Sequence, residues 1–347
     1  MGNRALFWGA LFGTVPDLDI LFNPLFDNAG QLWWHRGPSH SLLVMVLASL
    51  LLARPLAKLW RSVRISAAHA GCFVLLEWST HVLIDCFNVY GTLVLWPFSP
   101  TRISFNNLFI IDPLFTAPML LALIWLAFLR SSKQADQRRR INLWGLGLAC
   151  LYVGMSVGAK SVASHRFEAD LKRNHAPCLR RIEAPTAFNI LLWRCVAEYP
   201  HEFRVGYRSL LDRSSAPIQW TAYPKGRDAV AGTPAKRELA ILEQFTDGWW
   251  IARRHAKGAW IGDLRFGEQR SWNAERQIID QRLSFAWDLM ADRESQRLWP
   301  KPRRPVDTRA MLGRLAMRAL GKRDEWERDA RLEGITGQLP ELLTTQP

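Results

Sequence analysis

The chain lacks most of the local signatures that announce a soluble enzyme. Among its 347 residues there are only five cysteines, with no CxxC pair, and there is no glycine-rich phosphate loop, GxSxG elbow or internal repeat. These absences argue against a disulfide scaffold, a nucleotide-binding P-loop and a serine-hydrolase nucleophile. Cys72, Cys86 and Cys150 fall in apolar segments, where a buried free thiol is the ordinary case. Cys178 and Cys195 lie in polar sequence and would pair only if that part is exported. Acid is also scarce: 31 acidic residues face 45 basic ones, giving a net charge of +14. Such a balance permits nucleic-acid binding, but much of the first half's charge sits in loops between hydrophobic segments, so no nucleic-acid partner is expected. Ala5 to Val15, behind Arg4, imitates a signal peptide, yet "PDLD" follows where a small-x-small cleavage site belongs.

What the chain does have is a division into two halves. Residues 1–160 are dominated by Leu, Phe, Trp, Val and Ala, with charges in short blocks, while residues 161–347 carry charge throughout. The 17 tryptophans suit a membrane interface, where an apolar ring with a polar N–H is favoured. A spanning helix needs about 20 mainly apolar residues. Asn107 to Leu129 and Ile141 to Lys160 meet this directly, and Ser66 to Tyr90 meets it despite His69, Glu77, His81 and Asp85. Pro38 to Ala53 is shorter and would reach the far side by snorkelling of Arg54 and Lys58. Ala5 to Val15 is too short to span alone and reads as a partial or re-entrant helix.

Loop charge fixes the orientation. "RPLAKLWRSVR" (54–64) has four basic residues and no acid, and "RSSKQADQRRR" (130–140) has five against Asp136. Both belong on the cytoplasmic side by the positive-inside rule. The stretches around 17–34 and 92–106, and the polar half after Lys160, then emerge on the opposite face, which is the periplasm if the membrane is a bacterial inner membrane.

Three polar clusters fall on that face. "PDLD" carries Asp17 and Asp19, "HRGPSH" carries His35 and His40, and "EWSTHVLID" places Glu77, His81 and Asp85 at i, i+4 and i+8, on one face of a helix. Each has a bland account: a capped turn, a turn with Pro at a helix start, an i,i+4 hydrogen-bonded pair. Those accounts do not explain why all three share one side of a membrane. Ionisable groups in a span cost about 2.5–3.5 kcal/mol each on insertion scales and face partners or cavities. A divalent cation would compensate several at once, zinc first for mixed His and Asp ligands, with manganese or iron as alternatives. The chemistry this implies is metal-assisted hydrolysis. Arg36 reads equally as a headgroup contact or an electrophile, and Glu77, one or two turns deeper, as a catalytic base or a partner that orients His81.

Taken together, "GTVPDLD", "HRGPSHS", "HVLIDCFNVYGT" and "WPFS" resemble the membrane-bound metal-dependent hydrolases of the YdjM type, over about residues 1–120. "GDLRFG" (262–267) and Trp193–Arg194 are similar to the long form of that family, which appends a polar domain. The resemblance implies a metal site built from Asp17, Asp19, His35, His40, His81 and Asp85, and distant kinship to helical zinc-dependent phospholipase C and nuclease enzymes. Ser39 stands where Thr is usual, and Asn88 near a position where Thr is common. Family members usually begin about twenty residues earlier, with a further helix that often supplies a polar residue; the two readings are a true start upstream of Met1 or a member without that helix, in which case the site is short of one contributor.

Residues 161–347 show strand-like alternation. "EFRVGYRSL" turns Phe203, Val205 and Tyr207 one way; "AWIGDLRF" turns Trp260, Gly262, Leu264 and Phe266 one way; "LSFAWDL" turns Leu283, Phe285, Trp287 and Leu289 one way. "HAKG" (255–258) reads as a hairpin turn. Helices are expected at 164–174, 235–245 and around 308–329, and Asp263 with Arg265 as an exposed cross-strand ion pair. The fold expected is a mainly α membrane helical bundle (1–160), an α+β polar domain with mostly antiparallel strands (161–297), and a Pro-rich linker with a basic terminal helix (298–347). The function expected is a membrane-bound, metal-dependent hydrolase of a phosphoester or other ester, small-molecule or lipid, with membrane lipid as partner. The competing readings are a non-catalytic metal-binding structural or envelope-stress protein and, behind it, an ion transporter.

Overall fold

A computed structural model of the chain describes residues 3–129, 134–174, 177–273, 278–290, 297–300, 307–323, 326 and 330–332. The first half is helical: α1 (Arg4–Thr14) runs into a 3-10 helix (Val15–Leu25), followed by α2 (Asn28–Trp34), α3 (Leu42–Leu59), α4 (Ala67–Asp85), α5 (Pro113–Phe128) and α6 (Ala135–Asn174). Starts are set by side-chain caps: Ser41 accepts from the Val44 N–H, Ser66 from His69 and Asp112 from Leu114. Four segments are long and apolar enough to cross a membrane, Arg4–Leu25, Leu42–Leu59, Ala67–Asp85 and Ala135–Arg173. Their large apolar residues point outward as well as inward; Leu51 and Trp144 are 74% and 71% exposed, a surface suited to lipid. Inside, Phe12, Met45, Trp60, Val74, Trp78 and Val82 knit α1, α3 and α4 together.

Three spans differ from the sequence expectation. The first is not a short partial helix, because the backbone tightens from α to 3-10 at Val15 and continues through Pro16 to Leu25. Asn107 to Asp112 are not helical; α5 starts at Pro113, capped by Asp112, and its 16 residues span about 24 Å. The helices expected at 141–160 and 164–174 are one, since nothing in the sequence between them breaks a helix even though its hydropathy falls. At 40 residues α6 is about 60 Å long, so its far half leaves the membrane and enters the polar domain.

That domain is a two-sheet structure. β1 (Arg180–Pro185), β2 (Leu192–Glu198), β3 (Glu202–Ser209) and β4 (Trp220–Pro224) form an antiparallel meander. β5 (Trp250–His255), β6 (Gly258–Asn273), β7 (Ile278–Met290) and β8 (Leu298–Pro300) form a second antiparallel sheet, to which β9 (Ala330–Leu332) adds parallel to β7. The expected hairpin at 255–258 joins β5 to β6. Phe203, Val205 and Tyr207 meet Ile251, Trp260 and Leu264 between the sheets, with α8 (Thr308–Ala319) closing that core through Leu315 and Ala319. Ala159, Ala163 and Phe167 of α6 cover the outer face of the first sheet. α7 (Lys236–Thr246) covers the second, joined there by Ala29 and Tyr90 from the membrane half.

The simple alternation fails in β6 and β7. The register shifts between Asp263 and Glu268, with Gly267 at φ +76°, so Trp260 and Leu264 face the inter-sheet core while Phe266 faces α7. Leu283 and Phe285 likewise part company. Asp263 and Arg265 are not an exposed cross-strand pair: both are buried, two residues apart on the same strand, with Arg265 Nη2 2.7 Å from Asp263 Oδ2. A central strand covered on both faces leaves no solvent side for them. All five cysteines are free, so Cys178 and Cys195 do not pair. Of the linker expected at 298–305, Leu298–Pro300 is instead strand β8, and the helix expected around 308–329 ends at Ala319, with 320–323 and 326 not helical. Residues 301–305 of that linker, 327–329 of that helix and 130–133 of the second basic loop lie outside the described residues.

Candidate metal centre

The turn after α2 gathers the polar residues. Arg36 has a left-handed backbone (φ +54°), and at Gly37 a Cβ would stand 2.6 Å from the Trp34 carbonyl oxygen, so only glycine fits. The Trp78 indole of α4 donates to the Ser39 carbonyl at 2.8 Å, pinning the turn to the bundle. His40 is thereby buried between the 3-10 helix and the C-terminal end of α4.

Four donor atoms, Asp17 Oδ1, His40 Nε2, His81 Nε2 and Asp85 Oδ2, lie within 4.8 Å of one another. All four are buried and have no hydrogen-bond partner among the described residues. The His40 nitrogen is 3.4 Å from Asp17 and 3.3 Å from Asp85; the His81 nitrogen is 3.5 Å from each. These separations exceed the roughly 2.7–2.9 Å of a charge-assisted hydrogen bond. They match the edge of a tetrahedron, about 3.3–3.4 Å, around an ion with bonds of about 2.0–2.1 Å. The donor set therefore fits a divalent cation.

Asp19 and His35 stand one layer back. Asp19 Oδ1 is 3.0 Å from His35 Nδ1, and Oδ2 accepts from the Arg36 N–H at 2.9 Å and from Ser39 Oγ at 3.2 Å. Ser39 Oγ is also 2.9 Å from His40 Nδ1. A hydroxyl has one proton; given to Asp19, it leaves the oxygen to accept from His40 Nδ1–H. That tautomer leaves His40 Nε2 with a bare lone pair facing the other three donors, the arrangement a metal-binding imidazole requires. The outer oxygen of Asp85 is held by Arg36 Nη2 at 3.0 Å, and Arg36 Nη1 donates to Asn88 Oδ1 at 3.0 Å. Glu77 is half-buried one turn deeper on α4, its carboxylate beside Gly9 of α1.

Several residues here were not singled out from the sequence. Tyr90 is buried, with Arg36 4.9 Å above its ring and the His35 ring edge-on at 5.3 Å. On its other side lie Phe245 and Phe266 of the polar domain, 5.1 and 5.9 Å away. Arg102 donates to the carbonyls of Gly91, Leu32, Trp33 and His35, tying the end of α2 to the loop after α4. Burial, with Arg265 and Arg36 nearby, pushes the Arg102 guanidinium down to about 10. Its signal in the sequence was that it is the single charge in "FSPTRISFNN".

The match to known proteins agrees with this half of the chain. Residues 2–163 match the model of the YdjM inner membrane protein family. Over these residues, just under half of the chain, the protein is similar to the YdjM family. Within this YdjM-type half lie all four donor atoms. A stretch of 114 residues is 29% identical to the uncharacterized protein YfhP of Bacillus subtilis (strain 168), covering 33% of this chain and 34% of the relative, so the match spans about a third of each. No solved structure matches the chain.

Proposed function

We propose that the protein is a membrane-bound, metal-dependent hydrolase of a phosphoester or other ester, with Asp17, His40, His81 and Asp85 as ligands. The observation that carries this reading is the convergence of four orphaned donor atoms, from three separate segments, on one point. Two carboxylates with neutral imidazoles leave a net negative cage that a cation neutralises, and mixed nitrogen and oxygen donors suit zinc, then manganese or iron. A divalent cation there supplies Lewis-acid polarisation of a phosphoryl or carbonyl oxygen and acidifies water towards neutrality. The chain's own residues do the rest. Asp19 and Ser39 hold the His40 tautomer, Arg36 orients Asp85, and Glu77 is assigned the proton acceptor. The Asp17 donor oxygen is buried but the rest of its side chain is exposed (44% overall), which makes this the side from which substrate would approach.

In this reading the centre and the polar domain face the non-cytoplasmic side of a bacterial inner membrane, because the basic loops lie at the other end of the bundle. There Trp8 packs on Trp60, and Arg138 bonds Asn3. The test is hydrolysis of phosphodiester and carboxylic ester probes, each in a water-soluble and a membrane-soluble form, by the reconstituted protein. Turnover should vanish on chelation and return with zinc, manganese or iron; a metal-loaded, folded protein inert to both probe classes would leave a non-catalytic metal site instead.

A further inference from the structure

The four donor atoms are buried, and the cover over them is thinnest at Asp17, away from the polar domain. Side-chain exposure across the four donors is 0% for His40, 12% for Asp85, 17% for His81 and 44% for Asp17. The side towards the polar domain is roofed: Arg36 spans Asp85 and Asn88, Tyr90 lies under it, and Phe245 and Phe266 press on Tyr90 from above. Arg36 is 11% exposed, and Tyr90 and Phe245 are 8% and 2% exposed.

Asp17 belongs to the 3-10 helix. With three residues per turn, Ile20 stands beside Asp17 on the same face. Ile20 is 50% exposed, and its neighbours Leu18, Leu21, Phe22 and Leu25 are 40–76% exposed. In a segment long and apolar enough to cross a membrane, apolar residues exposed at Ile20 and around it meet acyl chains.

Depth points the same way. From Arg4, the helical rise to Asp17 is roughly 20 Å, and from Ala67 to His81 along α4 it is about 21 Å. Taking Arg4 and Ala67 as the inner boundary of a hydrocarbon core about 30 Å thick, both donors lie about 10 Å inside its outer boundary. Two independent helices agree on the level.

We infer that the substrate is a membrane lipid whose ester or phosphoester reaches the centre sideways, past Asp17 and Ile20, from the outer leaflet; this rests on the hydrolase reading above. The lipid's chains lie along the exposed face of the 3-10 helix while its head turns in towards the four donors. Hydrolysis breaks one P–O or C–O bond, the hydroxyl of one water going to phosphorus or carbon and its proton to the departing alcohol. The polar domain acts as the roof that keeps soluble esters out.

The test uses full-length, zinc-loaded protein in nanodiscs. Membrane-soluble 1,10-phenanthroline should remove the metal at least tenfold faster than water-bound EDTA, and Phe245→Ala should narrow that gap by opening the roof. Ile20→Trp should slow phenanthroline at least severalfold with zinc content unchanged. Phosphatidylglycerol should be turned over and glycerophosphoglycerol, the same head without chains, should not. Removal by EDTA as fast as by phenanthroline, or equal turnover of the chainless head, would overturn lateral access while leaving the hydrolase reading intact. A folded protein that holds no metal overturns the metal-centre reading, and this inference with it.

Discussion

In the polar domain, buried charges are matched. Arg265 grips Asp263, Arg194 and Arg270 flank Glu268 at 3.1 and 3.0 Å, and Arg318 holds Asp212 through both nitrogens. Burial would raise the Glu268 carboxyl, but its two guanidinium neighbours outweigh that and hold it below the usual carboxylate range. In the membrane half, four unmatched carboxylate and imidazole atoms converge on one point, whereas unmatched atoms of the polar domain such as Arg194 Nη2, Arg208 Nε and Arg270 Nε belong to guanidinium groups that are otherwise paired. A matched buried pair is an internal matter of the fold; a cage of unmatched donors is complete only with something that is not part of the chain. The difference separates two uses of the same residue types, and it can be tested residue by residue.

The largest effects are expected at the cage. His81→Ala or Asp85→Ala should abolish bound metal in elemental analysis, exceeding the 10–100-fold that losing an outer partner costs, with helical circular dichroism unchanged. Next comes Asp263→Ala, which strands Arg265 in a buried site and should cost the polar domain about 3–5 kcal/mol in denaturant unfolding. Metal content of the folded fraction should stay the same; loss of metal as well would blur the contrast between the halves. Asp19→Asn should lower metal affinity by about 10–100-fold, without abolishing binding, since it disturbs only the layer behind His40. The smallest effect belongs to Asp27, which pairs with Arg237 at 2.5 Å across the two halves and caps α2 through Gly30. The Arg237 hydrogen bond comes first among the causes that hold its carboxyl below the ordinary range. Its contribution is therefore full above the unfolded value and is lost as pH falls through the lowered one. For a pair this exposed it amounts to less than about 1 kcal/mol, and Asp27→Asn should flatten that acid limb of the stability curve.

Much of the centre could be read from the chain because ionisable residues are conspicuous in apolar sequence. "PDLD", "HRGPSH" and "HVLID" each announce a cost that needs a partner. What spacing did not convey was the order of the layers: Asp17 and Asp19 are two residues apart, yet only backbone geometry at Arg36 and Gly37 turns Asp19 towards His35 and Ser39. Arg36 was legible only as a headgroup contact or an electrophile, not as the partner of Asp85, and Tyr90 and Arg102 were hidden because their partners are distant in sequence. In the polar domain the alternating pattern found the strands, but a bulge after Asp263 reassigns Phe266 to the other face, and nothing local marks it except Gly267. The length of α6 was missed because hydropathy marks the membrane boundary, whereas a helix ends only where capping or a breaker ends it.

The most direct test is the metal content of purified full-length protein, measured beside the His81→Ala variant at matched folding. The account predicts a divalent metal bound at no less than one ion per wild-type chain and lost from the variant. Wild-type protein that is folded, has been offered zinc, manganese and iron, and retains none of them would contradict it.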